Sequence, residues 1–195
     1  MTDPASPDVP PDATEALSRA LRMGEDVLGE WYRAVFPEVR RLARGLLARR
    51  DIADDVAQDV MLHLADRIAQ WNPDNPFRAW SRRAVVNRCR SVQRSARRRD
   101  EHEGAAGAAF HEGTLPRPED AATAEELSAL IDRSLDLLPP REREVFVLID
   151  LEGSSASEAA DALEITASTV RAALSMARRR LRDALAPHLA EEGLA

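Results

Sequence analysis

Lysine is absent from this chain of 195 residues, cysteine occurs once, and aromatic residues make up 4% of the sequence. A single cysteine excludes a disulfide within the chain, which is typical of proteins from a reducing compartment. No apolar run approaches the roughly 20 residues that a helix needs to span a bilayer. The first residues are acidic and rich in proline, unlike a secretory signal peptide. These absences predict a cytoplasmic protein without membrane insertion.

Residue sets typical of catalysis are also lacking. The sequence shows no Ser/His/Asp set, no metal-ligand spacing and no glycine loop of the kind that binds phosphate. His102 and His111 lie among glutamates, but the glycines and prolines around them do not favour a rigid set of metal ligands. We therefore predict a protein that is not an enzyme and that binds no cofactor or metal.

Alanine, leucine, arginine and glutamate dominate the composition, and all four favour helix. Runs of β-branched residues are absent. The predicted fold class is all-α, with two small helical domains joined by a flexible linker. The predicted segments are a disordered N-terminal tail (1–24), a first domain (25–99), an acidic linker (100–122), a second domain (123–188) and a C-terminal tail (189–195).

Charge is sorted along the sequence, although the net charge of −7 hides this. Residues 31–99 hold sixteen arginines and seven acidic residues, whereas residues 100–132 hold one arginine and nine acidic residues. The use of arginine alone is typical of a GC-rich genome, but codon usage does not explain where the arginines lie. A local basic block attracts polyanions even when the whole protein is acidic.

A row of polar residues follows one side of a helix predicted over residues 77–99. Its members are spaced by four or three residues: Arg83, Asn87, Arg90, Arg94 and Arg97. Eight arginines and no acidic residue lie between Trp80 and Arg99. Basic runs are usually solvated faces, but such faces normally mix signs, so this row favours contact with nucleic acid. The asparagine within the row can read a base edge.

The preceding predicted helix, residues 51–70 with Asp51 as its N-cap, separates apolar from acidic residues. Seven apolar residues fall in an arc of about 140° on a helical wheel: Ala53, Val56, Ala57, Val60, Met61, Leu64 and Ile68. The opposite arc holds Asp54, Asp55, Gln58, Asp59 and Asp66. Two interpretations remain open for the acidic arc, a solvated face that pairs with the helix dipole or a docking face for a basic partner.

The segment between these helices is a predicted loop (71–76), because two prolines interrupt helix there. Asn72 and Asn75 in this loop either make turns or hydrogen-bond a base that has left its stack. Trp80 follows at the start of the basic helix. We expect it to pack in the helix bundle, with a wedge against melted DNA as the alternative.

The second predicted domain contains the pattern of a helix-turn-helix. Helices are predicted over 124–138, 141–151, 156–163 and 167–185, with a capping box at Ser155 and Glu158 and a turn at 164–166. The last two helices and their turn match a helix-turn-helix, and an ordinary helical hairpin is the alternative. Three successive arginines, residues 178–180, favour DNA binding.

Together these motifs resemble a bacterial sigma factor of the sigma-70 family, in its extracytoplasmic-function group. The segment Asp54–Val60 resembles the acidic helix of region 2.2. Phe77-Arg-Ala-Trp80, followed by Asn87, resembles regions 2.3–2.4, which melt and read the −10 element. Leu138–Phe146 resembles the entry to region 4, and Thr169-Val-Arg171 with the following arginines looks like the helix that reads the −35 element.

The resemblance implies a transcription initiation factor that binds core RNA polymerase, through the β′ clamp coiled coil and the β flap, and directs it to promoter DNA. The polymerase-binding residues would be Asp54, Asp55, Gln58, Asp59, Leu62 and Asp66. The residues for the −10 element would be Asn72, Asn75, Phe77, Trp80, Arg83, Asn87, Arg90, Ser91, Arg94 and Arg97. The residues for the −35 element would be Ser168, Thr169, Arg171, Ala172, Ser175, Arg178 and Arg179. An anti-sigma factor is a further partner that the family implies.

Departures from the family pattern concern both DNA-reading segments. Ser91 stands where the family often has aspartate, and Glu164 stands where the helix-turn-helix usually has glycine. Ala172, Ala173 and Met176 replace polar or basic residues, so we predict altered or weaker −35 readout. The alternative function is a helix-turn-helix regulator that acts without polymerase, although it gives no reason for the acidic arc.

Overall fold

The computed structural model of the chain describes residues 11–102 and 133–191. These residues form helices and turns without a strand, so the predicted all-α class is confirmed. The chain divides into two compact units, with the boundary between Ser91 and Val92. Most of the predicted linker, residues 103–122, lies outside the described residues, as does the end of the predicted C-terminal tail, 192–195. None of the described helices is long and apolar enough to cross a membrane.

The first helix, α1 (Pro11–Arg22), lies in a segment that the sequence predicts to be disordered. Its Ser18 accepts a hydrogen bond of 3.0 Å from the indole Nε1 of Trp31, and both residues are fully buried. The predicted disorder of residues 1–24 is therefore wrong for this stretch. Proline suggested disorder, but a proline at the first helical position has no N–H to leave unsatisfied. Contact with a buried tryptophan of the next helix then stabilises α1.

Helices α2 (Leu28–Leu46) and α3 (Arg50–Asp66) pack against each other in the first unit. α2 continues through Pro37 without a break. All seven residues of the predicted apolar arc are buried, so this arc is confirmed. The predicted N-cap is wrong, because α3 begins at Arg50 and Asp51 lies within its first turn, where its carboxylate accepts a hydrogen bond from Arg49.

A 3-10 turn (Ile68–Gln70) and the 71–76 loop lead into α4 (Phe77–His102), which extends three residues beyond its predicted end. Trp71 and Phe77 are buried, and their rings pack edge to face with centroids 5.4 Å apart. Val85, Val86 and Cys89 bury the inner side of α4. This inner side fixes which residues of the helix remain at the surface.

The second unit contains α5 (Pro140–Phe146), a π-helical turn (Val147–Leu151), α6 (Ala156–Leu163) and α7 (Ala167–Glu191). The predicted capping box is confirmed, because Glu158 N–H donates to Ser155 Oγ at 3.2 Å and Ser155 N–H donates to Glu158 Oε2 at 2.7 Å. The turn between α6 and α7 places Glu164 at a φ of 56°, a left-handed backbone conformation that favours glycine. α7 continues to Glu191, so residues 189–191 are helical and not part of a tail.

Candidate protein and nucleic-acid interfaces

The outer side of α3 is acidic around one exposed leucine. Leu62 is 67% exposed. Neighbours on the same side of the helix are also exposed: Asp55, Gln58, Asp59 and Asp66. Their spacings of three, four or seven residues bring them to one surface. Five of the six predicted polymerase-binding residues therefore share one surface, which we call the acidic face.

Asp54, the sixth of these residues, is engaged inside the unit. Its two carboxylate oxygens accept four hydrogen bonds, at 2.9 and 3.2 Å from Arg40 and at 2.8 Å each from Nε and Nη2 of Arg44. The donation from Arg44 and then Arg40 lowers the pKa of the Asp54 carboxyl far below its usual range. Asp54 is thus paired within the unit, because on the helical wheel it lies beside the buried arc and faces α2.

Replacing Asp54 with asparagine is expected to destabilise the first unit at pH 7 by about 2 kcal/mol, because two arginines lose their shared carboxylate. The depressed pKa means that this stabilisation is present above the ordinary value of 3.8 and is lost as the pH falls below it. Urea unfolding followed by tryptophan fluorescence measures this unit alone, because all three tryptophans lie within it.

The control for Asp54→Asn is Asp55→Asn, which removes the neighbouring exposed carboxylate. Its free energy of unfolding is expected to stay near the wild-type value. A loss of stability in Asp54→Asn that is equally large at pH 7 and at pH 2 would contradict the assigned role of the Asp54 carboxylate.

The predicted row on α4 lies largely at the surface. Four of its residues, Arg83, Asn87, Arg94 and Arg97, are exposed, whereas Arg90 and the neighbouring Ser91 are partly buried. We call Arg83, Asn87, Arg90, Arg94 and Arg97 the arginine row. Arg88, on another side of α4, donates a hydrogen bond of 2.6 Å to Asp59 and so connects α4 to the acidic face.

The 71–76 loop presents both of its asparagines to solvent. Asn75 N–H donates to the carbonyl of Asn72 at 3.0 Å, and Asp74 N–H donates to Asn72 Oδ1 at 3.1 Å. The indole Nε1 of Trp71 donates to the carbonyl of Asn75 at 3.0 Å. The asparagines therefore make the turn and remain accessible at the same time.

Phe77 does not belong to the exposed set. It is 1% exposed, and its ring lies among three tryptophans, 6.1 Å from Trp31, 5.4 Å from Trp71 and 5.7 Å from Trp80. The prediction that Phe77 contacts DNA is corrected to a core role. Trp80 is partly buried and packs against Phe77, as expected for packing in the bundle.

In the second unit, every residue predicted to read the −35 element is at least partly accessible on α7. An open groove runs along this helix and is lined by Arg171, Leu174, Ser175, Arg178, Arg179 and Arg182. Arg178 is already engaged, because its Nε and Nη2 donate to Asp150 at 2.9 and 2.5 Å. On the opposite side of α7, Arg180 donates to Glu142 at 3.1 Å.

Sequence reasoning did not assign a role to four residues that support or line these sites. Arg182 lines the groove one turn beyond Arg178, a spacing of four that was available as a signal. Thr166 caps α7, because its Oγ1 accepts from Thr169 N–H at 3.2 Å. The spacing of four between Arg40 and Arg44 places them one turn apart on α2 and indicates a shared partner. That partner, the carboxylate of Asp54, could be identified only from the packing of α2 on α3.

Two family models match the chain in sequential order. The model described as sigma-70 region 2 matches residues 31–99, and the model described as sigma-70, region 4 matches residues 128–181. Together these ranges cover more than half of the sequence. The first contains α3 and most of α2 and α4, and the second contains α5, α6 and the first part of α7.

Curated proteins and solved structures give the same relationship. The chain is 31% identical over 165 residues to the ECF RNA polymerase sigma factor SigE of Mycolicibacterium smegmatis, covering 78% of this chain and 59% of that protein. It is 33% identical to the RNA polymerase sigma factor CnrH of Cupriavidus metallidurans, covering 66% of this chain and 70% of that protein. The structure of CnrH in complex with the cytosolic domain of CnrY aligns with a TM-score of 0.67 at 26% identity, covering 90% of this chain and 99% of that chain.

Proposed function

Because the chain belongs to the sigma-70 family, in its extracytoplasmic-function group, we propose that it binds core RNA polymerase and directs it to promoters by recognising −35 and −10 elements. The observation that carries this proposal is the presence of two surfaces of opposite charge on the consecutive helices α3 and α4. The acidic face of α3 suits a basic protein partner, and the acid-free arginine row of α4 suits a polyanion. A repressor that binds DNA alone has no use for the acidic face.

Docking on polymerase would use the carboxylates around Leu62. Leu62 is exposed and lies near the exposed carboxylates of Asp55, Asp59 and Asp66. The leucine would be the apolar anchor of the interface, and the carboxylates would attract a basic partner. Exposed carboxylates add little energy in water, so most of the affinity would come from burying the leucine.

Recognition of the −10 element would use α4 and the 71–76 loop. Arg83, Arg94 and Arg97 would hold phosphates, which positions the duplex without reading it. Asn87 in the row and Asn75 in the loop would read bases. Extruding a base costs a few kcal/mol, so the loop must supply contacts that offset this loss of stacking.

Recognition of the −35 element would use the groove on α7. The Arg171→Ala variant is expected to weaken binding of −35 duplex DNA roughly tenfold, by about 1.4 kcal/mol, because it removes a forked donor from the groove. Fluorescence anisotropy with labelled duplex measures the effect. The control is Arg180→Ala on the opposite side of α7, where the arginine is paired with Glu142. Equal losses in both variants would contradict the assignment of the groove.

The proposed function is tested by run-off transcription with core polymerase on a library of upstream sequences. We expect the chain to co-purify with core polymerase and to select paired −35 and −10 elements. Sequence-specific binding of double-stranded DNA by the chain alone, with no association with core polymerase, would overturn the proposal in favour of a regulator that acts without polymerase.

Control by an anti-sigma factor is part of the proposal. The similar structure of CnrH is a complex with the cytosolic domain of CnrY, and a second structure with a TM-score of 0.67, at 22% identity, holds the sigma factor RpoE with the anti-sigma factor NepR from Bartonella quintana. A partner of this kind would cover the acidic face or the DNA-binding surfaces. Such a partner would then compete with core polymerase for binding to this chain.

A further inference from the structure

α1 contacts the 71–76 loop from a distant part of the sequence. Arg19 Nη2 donates to the carbonyl of Pro73 at 2.8 Å, and Arg22 Nε donates to the carbonyl of Trp71 at 3.0 Å. The guanidinium of Arg19 also lies 5.8 Å from the centroid of the Trp71 ring. These contacts join residues 49 and 54 positions apart, so they are features of the folded unit and not of local sequence.

The contacts of α1 explain how the loop keeps one conformation without a strand or helix of its own. The carbonyls of Trp71 and Pro73 accept from arginines of α1, and the carbonyl of Asn75 accepts from the Trp71 indole. Alternate carbonyls of the loop are thus bound by protein donors. Asn72 and Asn75 remain exposed between them.

α1 also fixes the point where the loop becomes α4. The backbone N–H of Phe77, the first residue of α4, donates to Glu15 Oε2 at 2.8 Å. A carboxylate at this position satisfies an N–H that has no partner within the helix and complements the helix dipole. Glu15 therefore caps the N-terminus of α4 from α1, a role that usually belongs to the residue just before a helix.

α1 is itself held by the core, so it can hold the loop in place. Ser18 is 0% exposed, accepts from the Trp31 indole at 3.0 Å and donates to the carbonyl of Thr14 at 2.8 Å. The side chains that face the loop, Glu15, Arg19 and Arg22, come from the turns on either side of this anchor. The match to the region 2 family model begins at residue 31, so α1 lies before the part of the chain that the family model describes.

We propose that α1 is a positioning element for −10 readout, in which Arg19 and Arg22 hold the 71–76 loop in the conformation that receives an extruded base. This inference rests on the proposed function, because it assigns α1 to the loop that would read the −10 element. A loop that must order itself on binding pays conformational entropy at that moment, whereas a loop held in advance does not. The arginines thus act through Asn72 and Asn75, without touching DNA themselves.

The test compares holoenzymes made with wild type, the Arg19→Gln/Arg22→Gln double variant, the Arg19→Gln single variant and Arg33→Gln. The last, at an exposed arginine of α2, is the one-charge control for the single variant. The measured quantity is the ratio of affinities for single-stranded −10 oligonucleotides with the selected base and with each substituted base. In the double variant, this ratio of affinities is expected to fall about tenfold. Its affinity for core polymerase and for −35 duplex is expected to stay unchanged, which a general loss of folding would not allow.

The Arg19→Lys/Arg22→Lys variant keeps a donor near the carbonyls of Pro73 and Trp71 and is expected to recover most of the discrimination between −10 bases. The single variant Arg19→Gln, which leaves the Arg22 contact in place, is expected to show a smaller loss with an unchanged unfolding midpoint. Wild-type discrimination in the double variant would overturn the inference and leave the proposed function standing. A wild-type holoenzyme that shows no base preference at all would overturn both.

Discussion

Holoenzyme assembly with the Asp55→Arg/Leu62→Ser variant is expected to fail at polymerase concentrations that saturate the wild type. The substitution removes the apolar anchor and places a like charge against a basic partner, which together cost about 3–5 kcal/mol, a loss of affinity of a hundredfold or more. Leu62 is 67% exposed, so its replacement is expected to cost little folding stability. Analytical gel filtration or fluorescence titration with core polymerase measures the loss.

The matched control is Glu30→Arg/Leu28→Ser on α2, where an exposed acid and a leucine that is 49% exposed lie outside the acidic face. This control is expected to assemble like the wild type. If both variants assemble normally and unfold at the wild-type denaturant concentration, the acidic face is not the polymerase-docking surface.

Promoter binding by holoenzyme is expected to become less sensitive to salt when two members of the arginine row are removed. For Arg83→Gln/Arg94→Gln, the slope of log affinity against log salt concentration should fall by about 1.8 for duplex contacts, or about 1.4 where the contacted DNA is single-stranded. Open-complex formation, followed by fluorescence of a base analogue in the −10 element, is expected to slow at physiological salt. Discrimination between −10 bases should change much less, since phosphate contacts carry no sequence information.

Arg88→Gln provides the control for the arginine row on the same helix. It removes one positive charge, half of that removed in the double variant, from another side of α4, where the guanidinium is paired with Asp59 at 2.6 Å. Its salt slope is expected to stay within a few tenths of the wild-type value. A decrease about half as large as that of the double variant, the share of one charge out of two, would mean that total charge, and not the row, governs promoter binding.

Helical periodicity was enough to predict which residues of α3 and α4 lie at the surface. The apolar arc predicted over residues 51–70 was confirmed in full, because one side of a helical segment that packs on a core must be apolar. The same rule placed Asp54 in the opposite, acidic arc, although it lies beside the edge of the buried arc. Its role depends on where α2 places two arginines, which the spacing within α3 does not contain.

Contacts between distant segments explain the remaining errors. α1 has few large apolar residues, and its stability comes from Trp31 and the 71–76 loop, which no local pattern indicates. Phe77 was predicted to contact DNA because it lies within the family motif, but aromatic residues in such motifs also build the core that carries the exposed ones. The pairing of Arg178 with Asp150 likewise could not be predicted from the sequence, because Asp150 lies in a π-helical turn that is distant in sequence from α7.

Because Arg40 and Arg44 share the carboxylate of Asp54, the α2–α3 contact tolerates substitution of one arginine better than substitution of the aspartate. Loss of either arginine leaves the carboxylate with two of its four hydrogen bonds and an opposite charge. Loss of the carboxylate instead leaves two like charges one helical turn apart, which repel each other. Natural variants should therefore accumulate at positions 40 and 44 one at a time, while folding requires that position 54 stays acidic.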